Sequence, residues 1–249
     1  MEHDIITYSK LSEASDFFLD EAFHNIHKAL SFDYASLILS KKLEGIETTE
    51  EDKIKIQASS SKIPNHPVKL QQMETPDVLS NETIHSMSTA WEEAQIQALN
   101  EGNQFPKTHT IEDINLLGHI TNLGCFIETI TNKHLLFLNQ TDEIETFSYN
   151  KISQAPVMVR LIYINDKEAK ENRLDLRDLA HLYRLRNKAV HYTPDNAVGL
   201  KPKISELLKI WEMCHELILY FEEKEKFVND SLANNFGEEM EFFKNKWTK

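Results

Sequence analysis

The sequence predicts an all-α protein, a multi-helix bundle with a helical N-terminal elaboration and a C-terminal amphipathic helix. Three observations point there. Only 6 glycines and 7 prolines punctuate 249 residues, too few turn formers for an all-β sandwich. Leu, Glu, Lys and Ile are plentiful, a composition that favours helices. Apolar residues also recur in steps of three and four along most of the chain, the helical period. With 41% hydrophobic residues the chain can bury a real core, which argues against global disorder. Its length suits one large domain or one domain with an elaborated subdomain. The expected division is a helical elaboration over 1–105, irregular at 45–80, and a helical domain over 106–249.

Each element has its own justification. Residues 12–43 carry the stripe Phe18, Ala22, Ile26, Leu30, Tyr34, Leu37 and Ile38, a long helix or two consecutive ones. His24 and His27 lie three apart on it, a spacing that can bind metal, yet no HExxH or cysteine cluster accompanies them. From 45 to 80 the periodicity fails. Thr48-Thr49-Glu50-Glu51 can cap a short helix over 52–59, then three serines and Pro64, Pro67 and Pro76 break the pattern. Asn81 is a good N-cap for a helix reaching residue 100, with Met87, Trp91 and Ala94 on its apolar side.

Residues 110–139 form the best-patterned segment. Leu116, Ile120, Leu123, Ile127, Ile130, His134 and Phe137 alternate steps of four and three, the rhythm of a helix-pair seam. Cys125, Phe126, Leu135, Leu136 and Leu138 make it apolar on other sides too, so it is central or interfacial. Gly124 permits close approach of a neighbour, and His134 is expected as a hydrogen-bonded core histidine. Residues 143–165 continue helically with a break at Pro156. Val157 to Ile164 have a strand-like composition but no partner strand, so helix is the expectation. Residues 205–227 place Leu207, Leu208, Trp211, Cys214, His215, Ile218 and Phe221 inward. Residues 230–249 place Leu232, Phe236, Met240, Phe243 and Trp247 on one side, a tail that closes the core or packs on a partner subunit.

The chemistry concentrates in residues 174–194, LDLRDLAHLYRLRNKAVHYTP. Leu176, Leu179, Leu182, Tyr183, Leu185 and Ala189 give it helical period, and Pro194 stops it. Near the stop stand Arg186, Asn187 and His191, then Tyr192. On an ideal helix Asn187 and His191 share a face, whereas Arg186 is rotated from His191 by roughly 140°. For both to reach one phosphate the helix must fray, Arg186 must bend its stem round, or a second copy must supply one of them. An imidazole that titrates near neutrality beside a permanent guanidinium can move protons at a phosphodiester. The same pair also suits a structural role, with Arg186 on a neighbouring carboxylate and His191 at a helix C-terminus, where a cation is favoured.

The pattern Arg186-Asn187-x-x-x-His191, at a helix end in all-helical surroundings, resembles the HEPN superfamily. The resemblance implies a homodimer with two motifs facing each other and metal-independent cleavage of an RNA substrate, with no cofactor. It implies catalytic roles for Arg186, Asn187 and His191. Arg184 and Lys188 are the expected substrate-binding cations. Glu128 and Asn132, four apart on one helix face, are expected to hold Arg186 and orient His191. The implied setting is a toxin or antiviral defence effector with an antitoxin or defence partner. Some relatives carry Arg-x4-His-x-Tyr, but here Tyr192 directly follows His191 and Thr193 holds the later place. Tyr192 therefore suits base stacking or anchoring of the helix end.

Charge bears on the choice of function. The net charge of −13 excludes a passive nucleic-acid coat, which is normally basic, and requires any positive charge to be local. A non-catalytic HEPN-like helical protein that binds a nucleotide, RNA or a partner protein is the alternative. Phosphate-cradling GxxxxGK[ST], GxGxxG and GxSxG motifs are absent, as are zinc-type cysteine pairs. Cys125 and Cys214 lie in apolar segments and read as small hydrophobes of a reducing cytoplasm. No signal peptide or membrane span is expected.

Overall fold

A computed structural model describes residues 2–43, 81–100, 104–168, 173–191, 200–225 and 231–249. The short helix expected over 52–59, the excursion at 45–80 and Tyr192 lie outside the described residues. The described elements are α1 (Glu2–Leu43), α2 (Asn81–Asn100), α3 (Asn115–Gln140), α4 (Thr146–Ile152), α5 (Val157–Glu168), α6 (Arg177–Val190), α7 (Ile204–Lys224) and α8 (Leu232–Trp247). The all-α expectation holds, and the strand-like run 157–164 is helical. α5 begins directly after Pro156, whose carbonyl accepts from the Val159 and Arg160 N–H groups. Proline is at home there because the first helical N–H groups need no partner.

α3 is the axis of the bundle. Its buried side chains include Leu116, His119, Ile120, Leu123, Phe126, Ile127, Ile130, His134, Leu135 and Leu138, and no residue from Asn115 to Asn139 is fully exposed. α1, α5, α6, α7 and α8 each contribute a buried stripe to the core that encloses it. Trp211 meets Phe23 at 5.2 Å and Phe243 at 4.6 Å between ring centroids, and Phe236 packs on Phe23 and Phe126. A second, smaller core joins Ala35, Ile38 and Leu39 of α1 to Ala90, Trp91, Ala94 and Ala98 of α2. Leu19 to Leu30 of α1 belong to the main core. The part that stands apart is the end of α1 with α2. Leu37, expected inward, is 47% exposed.

The expected start of the central helix at residue 110 is corrected to Asn115. Backbone groups of 105–111 are engaged elsewhere. Phe105 N–H donates to the Trp247 carbonyl at 2.7 Å, Lys249 N–H to the Phe105 carbonyl, Ile111 N–H to the Pro202 carbonyl and Ile204 N–H to the His109 carbonyl. Buried Asp113 then receives the Asn115 N–H at 2.7 Å, satisfying one of the donors a helix start leaves open. These ties also show that α8 closes the core of its own chain.

Three histidines inside the bundle each find a hydrogen-bond partner. His119 is fully buried; its Nδ1–H donates to the Ala22 carbonyl at 2.8 Å and its Nε2 accepts from the Trp211 indole at 3.1 Å. Burial holds its pKa down at about 4, since a second proton would displace the indole donor and charge a dry site. His27 accepts the Trp247 indole N–H at 2.8 Å and is likewise held at about 4, chiefly by desolvation. His134 is a core histidine as expected: its Nδ1 lies 2.8 Å from Glu225, and its ring stacks on Phe221 at 4.1 Å. Glu225, 3% exposed, also accepts from Tyr8 at 2.6 Å and faces Lys133 at 3.8 Å.

Two outcomes follow. The unfolded chain protonates His119 near pH 6.5 and the folded one near 4, so the stability held by the neutral ring is whole above pH 6.5 and is lost as pH falls towards 4. That loss is about 3 kcal/mol, to be read as a urea midpoint that falls between pH 7 and 4 and falls less steeply in His119→Leu, His27 keeping its own share of the slope. Glu225→Ala leaves Lys133 and His134 buried without this carboxylate and costs about 3–5 kcal/mol in urea unfolding at pH 7.

Candidate functional site

α3, α5 and α6 converge on one carboxylate. Glu128 sits one turn before Asn132 on α3, Arg160 is the fourth residue of α5, and Arg186 lies just before the last turn of α6. α5 and α6 both pack along α3, and their far ends are tied where Asn165 donates to the Leu174 carbonyl and accepts the Leu174 N–H, both at 3.0 Å. The two arginines therefore reach Glu128 from neighbouring helices. Arg160 Nη2 donates to Glu128 Oε1 at 2.7 Å, and Arg160 Nη1 donates to Asn132 Oδ1. Arg186 Nη2 stands 3.9 Å from Glu128 Oε2, ion-pair range but beyond a hydrogen bond.

The expectation that Glu128 holds Arg186 is thus met only as a long ion pair. The Asn132 oxygen, expected to serve His191, receives Arg160. Arg160 was not among the expected site residues. Its signal was available: Arg160 falls between Val157, Leu161 and Ile164 on the buried stripe of α5, and its side chain is 6% exposed. A charged residue on an apolar face is almost always paired.

Arg186 is seated by its neighbours. Its stem lies over Gly124, where an added Cβ would stand 2.6 Å from the Arg186 Cδ. Close approach is thus the reason for glycine at 124. The Gly124 carbonyl accepts the Tyr183 hydroxyl at 2.9 Å. Burial, with Glu128 nearby, pushes the Tyr183 phenol well above its ordinary pKa, so it stays a donor. The Arg186 guanidinium lies 6.0 Å from the Tyr183 ring centre, and its Nη2 is 3.9 Å from the half-buried Cys125 sulfur. Its Nε is buried with no hydrogen-bond partner among the described residues. With a side chain 27% exposed, Arg186 keeps donors to offer.

The other motif residues lie outward. Arg184, Asn187 and Lys188 are exposed on α6, and Arg184 Nη2 reaches His181 Nδ1 at 3.4 Å. His191 is exposed and closes the helix. Its N–H still reaches the Asn187 carbonyl at 3.1 Å, while φ −102° and ψ 45° turn the chain out of the helical path. The helix therefore ends at the histidine, three residues ahead of Pro194. Among the described residues no group of three or more His, Cys, Asp or Glu side chains is placed to hold a metal ion. No helix there is long and apolar enough to cross a membrane. No protein-family model, curated protein or solved structure matches the chain.

Gly124→Ala tests the seat. Alanine favours the helix by about 1 kcal/mol, and the atom it strikes belongs to a flexible side chain. The expected result is a folded protein in which the Arg186 guanidinium leaves Glu128, seen as a shifted Arg186 Nε–Hε NMR signal. A marked loss of melting temperature would show that the position serves packing instead.

Proposed function

We propose that the protein is a metal-independent endoribonuclease of the HEPN type, acting as a homodimer in a toxin or antiviral defence setting with an antitoxin or defence partner. The observation that carries the reading is the state of Arg186: seated over glycine, partly exposed and paired with Glu128 only at 3.9 Å, on the helix that ends in His191. A guanidinium in that state can take a phosphodiester oxygen without first breaking a tight internal pair.

In this reading the 2′-hydroxyl of the ribose attacks the adjacent phosphorus as His191 removes its proton. The bond to the 5′-oxygen breaks, and that oxygen takes a proton from the second copy's histidine. The products are a 2′,3′-cyclic phosphate and a 5′-hydroxyl. Arg186 carries the charge that grows on the non-bridging oxygens. Asn187, one turn before His191, positions the phosphate or the imidazole. The roughly 140° between Arg186 and His191 is answered by two subunits each lending part of a site. Exposed Arg184 and Lys188 supply local positive charge on an acidic chain.

A second reading, a helical binding protein without catalysis, is favoured by the net charge of −13. RNA incubated with pure protein in excess EDTA separates the two. The ribonuclease reading expects cleavage with cyclic-phosphate ends, reduced at least 100-fold in His191→Ala and in Arg186→Ala. Equal RNA loss with wild type and His191→Ala would overturn it.

A further inference from the structure

One carboxylate here serves two guanidiniums unequally, and the inequality has a direction. Arg160 is almost wholly buried, with both Nη atoms engaged, one on Glu128 at 2.7 Å and one on Asn132. Arg186 is the more exposed of the two and stands 3.9 Å from the other Glu128 oxygen. A charge-assisted bond of the first kind is short and strong, and in a dry environment it outweighs a longer contact at the rim. Asn132 fixes the plane of the Arg160 fork, so the short bond is aimed by geometry as well as by charge. The three side chains together carry one net positive charge.

We propose that Arg160 is the positioning residue of this site: by taking the short bond of Glu128 it neutralises that carboxylate and keeps the Arg186 guanidinium available for a phosphodiester oxygen. Glu128 is one-third exposed, and without Arg160 its nearest cation is Arg186. The two would then close into a two-pronged pair that consumes the donors needed by the phosphate and cancels the local positive charge. On a chain of net charge −13, that cancellation also removes part of the pull on RNA. Arg160 acts through Glu128 and touches no substrate. The proposal rests on the ribonuclease reading for its consequence, but the competition for Glu128 exists without RNA.

The test is a double-mutant cycle with two readouts. RNA cleavage in EDTA is measured for wild type, Arg160→Met, Glu128→Gln and the double variant, with melting curves to show that each is folded. The Arg186 Nε–Hε NMR signal, assigned by its loss in Arg186→Lys, is followed in the same proteins without RNA. Arg160→Met is expected to lower cleavage at least tenfold and to shift the Arg186 signal. In the Glu128→Gln background the same substitution is expected to change cleavage less than threefold and to leave the signal in place. Arg160→Lys, which keeps the charge beside Glu128, recovers most of what Arg160→Met loses, and Arg160→Gln, which removes the charge but keeps a polar end, stands in for the methionine variant if that one does not fold.

An equal loss from Arg160→Met in both backgrounds would overturn the proposal, since it would mean a packing role or direct phosphate contact. So would an Arg186 signal that does not move in Arg160→Met. If no protein of the set cuts RNA, the ribonuclease reading falls while the NMR arm still decides whether Arg160 holds Glu128 off Arg186.

Discussion

A helix with apolar side chains around most of its girth has no face to give to water, and α3 is that helix. Every neighbouring helix must bring it a stripe, and α1, α5, α6, α7 and α8 do so. Any polar group α3 carries must then find its partner inside the bundle, because an unpaired one in that setting costs several kcal/mol. This constraint fixes more of the molecule than the helix propensities do.

Three levels along α3 show how the demand is met. Near its start, His119 receives the Trp211 indole and gives its own proton to the Ala22 carbonyl, linking α7 and α1 through one neutral ring. Near its end, Lys133 and His134 meet Glu225, which also holds Tyr8 from the start of α1. Between them lies Glu128, where two arginines meet one anion. The outer levels are settled pairings. The middle one keeps a partly exposed guanidinium on a long ion pair.

The motif helix draws its placement from the same packing. Leu179, Leu182, Tyr183, Leu185 and Ala189 are buried, which turns Arg186 partly inward over Gly124 and leaves Asn187, Lys188 and His191 outside. Within one chain the guanidinium belongs to the groove between α3 and α6, and the imidazole belongs to the helix end. That separation of roles follows from helical period, and it is why the proposed chemistry calls for two subunits.

Periodicity made much of this legible. The inward faces of α3, α7 and α8 could be read residue by residue, as could the break at Pro156, the helix over 81–100 and the core role of His134. These are local matters, set by spacings of three and four. The start of α3 was misjudged because 105–111 is held by bonds to 202–204 and 247–249, and no local pattern records a partner so far away. The same limit applies to Glu128. The sequence alone determined that Glu128 and Asn132 share a face and that Arg186 stands near a helix end. Only the tertiary structure decided that Arg160, 32 residues from Glu128 along the chain, takes the short bond and leaves Arg186, across a glycine, with the long one. A side-chain pairing between helices depends on distances of a few ångströms set by how whole helices pack, and the helical period of the sequence does not carry that information.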